Sequence, residues 1–91
     1  MTYDLAARSF SSNGVPLDIP LRERSLLETL FLRAGKVVTK QVILESLAGF
    51  DEELSANAIE QYVSRLRKRL APYSLTVRTA RGIGYYLERI G

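Results

Sequence analysis

Ile59, Val63, Leu66 and Leu70 are spaced four, three and four residues apart. At about 3.6 residues per turn this draws one narrow apolar stripe along a helix, and a helix with such a stripe must lay it on a core built by the rest of the chain. Ser55 supplies an N-cap hydroxyl just before the periodic residues, and Ala71-Pro72 makes continuation difficult, so the predicted helix runs over 55–70. The same rotation puts Asn57, Gln61, Ser64, Arg65 and Lys68 on the opposite side, with no carboxylate among them. Amides, a hydroxyl and cations suit base edges and phosphates. An ordinary surface helix whose basic end, Arg67-Lys68-Arg69, complements its own C-terminal dipole fits the same pattern.

The chain has 91 residues and 46% apolar composition, enough for one domain with a modest core. There is no Cys and no His. Disulfides, Cys/His zinc sites, Cys nucleophiles and imidazole-dependent triads are thereby excluded, and no catalytic site, metal site or cofactor is expected. No apolar run is long enough to span a bilayer, and the N-terminus lacks a signal-peptide pattern, so the expectation is a cytoplasmic protein without a membrane partner. Residues 1–54 carry 6 basic and 8 acidic side chains, whereas residues 55–91 carry 7 and 2. A net −2 followed by a net +5 favours an anionic partner on one side of the domain, nucleic acid ahead of membrane.

Residues 3–19 read as short strands, 3–6, 7–10 and 15–19, with Ser12-Asn13-Gly14 as a hairpin turn and Pro16 at a sheet edge. After Pro20 a helix is predicted over about 21–34, with Leu26, Leu27, Leu30 and Phe31 inward and Arg22, Glu23, Arg24 and Glu28 outward. Gly35 is placed to end it in a left-handed conformation. Lys36-Val37-Val38 fits a strand fragment or an extended connection, and Thr39 caps a second helix over about 40–48 that buries Val42, Ile43 and Leu47. The following loop contains Phe50, Asp51, Glu52 and Glu53, with the aromatic expected to tuck into the core. Its acidic residues soften self-repulsion, favour the next helix N-terminus, or face a protein partner.

Beyond Pro72 the pattern gives two strands within 75–90 around Arg81-Gly82-Ile83-Gly84, with Gly82 and Gly84 relieving a tight tip. A phosphate-binding glycine loop is set aside, since there is no third glycine, following helix or Walker lysine. Arg78 and Arg81 are expected at the tip, where a guanidinium reaches phosphate or a narrow minor groove; a solvated hairpin is the alternative.

The predicted class is α+β: a small N-terminal antiparallel sheet, three helices and a C-terminal β-hairpin wing, within a single domain over 1–91. Ile19-Pro20-Leu21-Arg22-Glu23 through Leu26-Leu27, Gly35-Lys36-Val37-Val38-Thr39, Asn57-Ala58-Ile59-Glu60, Ser64-Arg65-Leu66-Arg67-Lys68 and Thr79-Ala80-Arg81-Gly82-Ile83-Gly84-Tyr85 resemble the winged helix-turn-helix effector domain of OmpR/PhoB-type response regulators. The likeness runs over roughly residues 13–88 and is most similar to the tricarboxylate-transport regulator group. It implies a two-component transcription factor whose third helix enters the major groove while the wing touches the adjacent minor groove. It places base reading on Asn57, Gln61, Tyr62, Ser64 and Arg65 and wing contacts on Thr79, Arg81 and Gly82. It also implies RNA polymerase, a receiver domain in the full-length chain and a sensor kinase as partners, with the isolated domain monomeric and dimeric on DNA. Arg24, Ala48 and Ala80 depart from residues usual in the family, and the leading strands are short.

From the residue types, Asn57 or Gln61 offers amides to adenine, Arg65 a fork to guanine or phosphate, and Lys68 charge. Arg67 is read as structural, pairing with Glu23 or Glu60. A winged-helix module that docks a protein through the acidic loop and wing, without reading DNA, is the rival function.

Overall fold

The computed structural model describes residues 1–47 and 56–90. The chain opens with three short strands, β1 (Thr2–Asp4), β2 (Ser9–Ser12) and β3 (Val15–Pro16), followed by α1 (Leu21–Phe31), β4 (Val38–Thr39), α2 (Lys40–Leu47) and α3 (Ala56–Leu70). A single 3-10 turn, Ala71–Tyr73, leads into β5 (Leu75–Ala80) and β6 (Gly84–Arg89). Among the described residues the strands form two antiparallel sheets, ordered β1-β2-β3 and β4-β6-β5. This is the predicted order of elements, with the β4 fragment joining the wing as a third strand, but the N-terminal strands differ in extent. Residues 5–8, expected to be extended, form a turn in which Asp4 Oδ1 accepts from the Ala6 and Ala7 amides, and β3 ends at Pro16.

Local chemistry accounts for the turns. Asn13 and Gly14 take positive φ, 52° and 80°, between the paired residues Ser12 and Val15, which is the backbone of a two-residue type I′ hairpin. Pro16 sits on the edge strand, where its missing donor costs no ladder bond. Helix α1 stops at Phe31, three residues short of the predicted end. Arg33 and Ala34 bond back to Leu30 and Phe31, and Ala34 and Gly35 then turn the chain through left-handed φ of 50° and 83°. Thr39 Oγ1 accepts from Val42 N at 3.3 Å, which caps α2. The expected caps and loop residues at Ala48, Phe50, Asp51, Glu52, Glu53 and Ser55 lie outside the described residues.

One core joins all the layers. Leu26, Leu27 and Leu30 of α1, Ile43 and Leu47 of α2, Ile59, Val63, Leu66 and Leu70 of α3, and Val77 and Tyr85 of the wing are buried together with Phe10, Ile19 and Val38. Full burial of such a side chain stabilises by about 1.5–3 kcal/mol relative to exposure. All four stripe residues of α3 are therefore inward. Val42 and Phe31 are half-buried at the margin.

The N-terminal sheet is peripheral, yet it is fastened at two levels. Phe10 packs between Tyr3, at 4.6 Å between ring centroids, and Phe31, at 5.4 Å with the rings edge to face. Glu28 accepts both the Nε (3.1 Å) and Nη2 (2.8 Å) donors of Arg8 and also the Tyr3 hydroxyl. Glu28, read as an outward residue of α1, is half-buried by this contact. Glu23 departs further from expectation. It is only 4% exposed, because the C-terminal turn of α3 crosses that side of α1 and brings Arg69 against it.

Candidate nucleic-acid interface

Burying the stripe of α3 fixes what the helix offers outward. Asn57, Gln61, Ser64, Arg65 and Lys68 are all exposed, and among the described residues none of their side chains makes a hydrogen bond or ion pair. They lie within roughly one third of the helical circumference, a band about the width that a major groove can address. Tyr62 is half-buried at the border of that band, its hydroxyl 3.4 Å from Arg22 Nη1. With Arg22 and Arg65 it lines a groove of about 420 Å³ against the start of α1.

The two flanks of α3 carry different contacts. On the α1 side, Arg69 Nε donates to Glu23 Oε1 at 2.8 Å and Nη1 to the Asp18 carbonyl at 3.3 Å. On the wing side, Arg67 Nε donates to the Val77 carbonyl at 2.6 Å and Nη2 to Thr79 Oγ1 at 3.0 Å. The structural role read for Arg67 thus holds, but Glu23 is not its partner. Positions 67 and 69 are roughly 160° apart around the helix, so a side chain at 67 cannot reach α1. Glu60, on the same flank as Arg67, is exposed and lines a cleft of about 230 Å³ with Val63, Arg67, Thr79 and Tyr85. This carboxylate is the other partner expected for Arg67, and its i, i+7 spacing does place it on the same flank, yet the Arg67 fork turns to β5 instead. Burial raises the Tyr85 phenol above its ordinary pKa; Glu60 adds to the rise and Arg67 opposes it.

In the wing, Arg81, Gly82 and Ile83 form the tip between Ala80 and Gly84, all three exposed, with Gly82 at φ +72°. Arg78 is not at the tip. It stands mid-strand opposite Tyr86, with Nε 3.5 Å from Glu88 Oε2. Strand alternation puts it on the other face from Val77 and Thr79, so the wing does not bring Arg78 and Thr79 together. Gly84 also has a different reason from the one expected. Its φ is not positive; instead a Cβ there would lie 1.9 Å from the Val38 carbonyl oxygen, so glycine is what lets β4 pack against β6.

Comparison with known proteins agrees with this architecture. Residues 14–87 match the family described as transcriptional regulatory protein, C terminal. A probable transcriptional regulatory protein y4xI of Sinorhizobium fredii is 42% identical over 88 residues, covering 94% of this chain and 39% of the relative. The transcriptional regulatory protein TctD of Salmonella typhimurium is 39% identical over 80 residues, covering 88% of this chain and 36% of the relative. The chain thus spans well under half of the length of these relatives. Among solved structures, the DNA-binding domain of Klebsiella pneumoniae RstA in complex with the RstA box superposes with a TM-score of 0.70 at 25% identity, over 91% of this chain and 85% of that one. The DNA-binding domain of Bacillus subtilis CssR gives a TM-score of 0.73 at 25% identity, over 96% and 98%. With three helices, two small sheets and a hairpin wing among its described residues, and with the family match over residues 14–87, the chain belongs to the family of C-terminal, OmpR/PhoB-type domains of transcriptional regulatory proteins.

Proposed function

We propose that this chain binds double-stranded DNA in a sequence-dependent way, as the output domain of a two-component transcriptional response regulator. The observation that carries the reading is the outer band of α3: five polar or cationic side chains, exposed and without partners among the described residues, on a helix whose other sides are held. Family membership and the likeness to a domain solved with its DNA box support it.

In this reading α3 lies in the major groove and the wing tip at the neighbouring minor groove. Asn57 and Gln61 present amides to adenine edges, and Arg65 presents a fork to the O6 and N7 of guanine. Ser64 and Lys68 contact phosphate or base, Tyr62 borders the reading face, and Thr79, Arg81 and Gly82 meet the backbone and minor groove at the wing. Arg78, tied to Glu88 on the far face of β5, contributes general positive charge. The regulator works in the cytoplasm, carries a receiver domain addressed by a sensor kinase, and engages RNA polymerase, while the domain itself is monomeric in solution and pairs on DNA.

The test is selection of duplexes from a random pool with the 91-residue chain. Enrichment of a defined sequence is expected. Failure to retain any duplex at low salt would overturn the reading and favour a protein-docking module.

A further inference from the structure

We propose that Arg67 is a positioning residue that couples the recognition helix to the wing by presenting Thr79 as a hydrogen-bond donor to a DNA phosphate, an inference that rests on the DNA-binding function above. The guanidinium has only donors. Thr79 Oγ1 therefore accepts from Arg67 Nη2 at 3.0 Å, and the hydroxyl proton must point to a different acceptor. Thr79 is exposed on the wing, and in contact with DNA the acceptor class at hand is a phosphate oxygen.

The second bond of the fork gives this arrangement its rigidity. Arg67 Nε holds the Val77 carbonyl at 2.6 Å, two residues along the same strand, so one planar group pins both the backbone and the side chain of β5 to α3. Among the described residues β5 is an edge strand of its sheet and has no strand neighbour on the α3 side. Arg67 is itself half-buried in the seam, whereas Arg65 and Lys68 stand in the open. Its charge acts through Thr79 and through the set of the wing, not as a free cation on the surface. A lysine cannot reproduce this, because a single ammonium lacks the fork that spans both oxygens.

The experiment measures affinity, salt dependence and base preference on the duplex recovered from the random pool, with thermal unfolding alongside. The variants are Arg67→Lys, Arg67→Met, Thr79→Val, Thr79→Ser and the Arg67→Met/Thr79→Val pair. Arg67→Met and Thr79→Val are each expected to weaken binding about tenfold, and the double variant no more than the worse single one. Thr79→Ser, which keeps the hydroxyl, binds like wild type, and base preference and salt slope stay unchanged throughout. Arg67→Lys keeps the charge and the stem and so guards against a Met variant that merely unfolds; it is expected to lose affinity while remaining folded. Wild-type affinity in Arg67→Lys, additive losses in the double variant, or a salt slope reduced by about one phosphate in Arg67→Met with Thr79→Val silent would each overturn the coupling. If wild type recovers no duplex at all, the DNA-binding function itself falls, a result distinct from these.

Discussion

Arg69 and Glu23 close the seam between α3 and α1: Nε stands 2.8 Å from Oε1, with the carboxylate side chain 5% exposed and the guanidinium side 43% exposed. A carboxylate so deep needs its partner, whereas the half-exposed arginine is partly screened by solvent. Arg69→Ala should therefore destabilise the domain by about 1–2 kcal/mol, discounted for that screening, and Arg69→Ala/Glu23→Gln should recover part of the loss. Urea unfolding of the two variants measures this; equal stability of Arg69→Ala and wild type would mean that the pair contributes nothing.

The two wing glycines separate steric from conformational demand. Gly84→Ala has to displace β4, since its Cβ would meet the Val38 carbonyl at 1.9 Å, and a loss of about 2–3 kcal/mol or more is expected. Gly82→Ala meets open space and only strains a φ of +72°, so about 1 kcal/mol is expected. Chemical denaturation that ranks Gly82→Ala as the more harmful would contradict the β4–β6 packing described above.

Acid sensitivity should report on the anchoring of the N-terminal sheet. Hydrogen bonds from Arg8 hold Glu28 below its ordinary pKa, opposed by burial and assisted by the Tyr3 hydroxyl. The unfolded chain thus takes up the proton first as pH falls. The stabilisation from Glu28 is complete above the ordinary carboxylate range and is lost as pH drops through the depressed folded value. Glu28→Gln should be less stable at neutral pH and should flatten the acid limb of a stability-versus-pH profile. An acid limb identical to wild type would locate the sensitivity elsewhere.

The periodic features of this domain were the legible ones. Ile59, Val63, Leu66 and Leu70 repeat the helical period, and every one of them is buried. Asn13-Gly14 announced its hairpin because few residues tolerate two successive positive φ values. The errors share a cause, which is that a helical wheel gives direction without saying what stands there. Glu23 points outward on the α1 wheel, but the end of α3 covers it, and of the two partners expected for Arg67, Glu23 lies on the wrong flank while Glu60 shares its flank. Gly84 was assigned to the turn because the Val38 carbonyl that excludes a Cβ comes from a strand distant in sequence. The place of Arg78 is legible in the sequence, since the alternation that buries Val77 sends its neighbour to the opposite face, although Arg78 lies only three residues from Arg81 at the tip. In the candidate interface, the outer band of α3 was read correctly as a surface, while its flanks were defined only by tertiary contacts.

The proposed division of labour between a base-reading helix and a charge-supplying wing is tested most directly by salt-titrated binding of wild type, Arg65→Ala and Arg81→Ala to the selected duplex and its single-base variants. Arg65→Ala should flatten preference at one or two base positions, losing about 1–3 kcal/mol of discrimination there. Arg81→Ala should weaken every duplex alike, with a shallower dependence on salt. Binding and base preference unchanged in both variants would contradict the assignment of α3 and the wing to DNA.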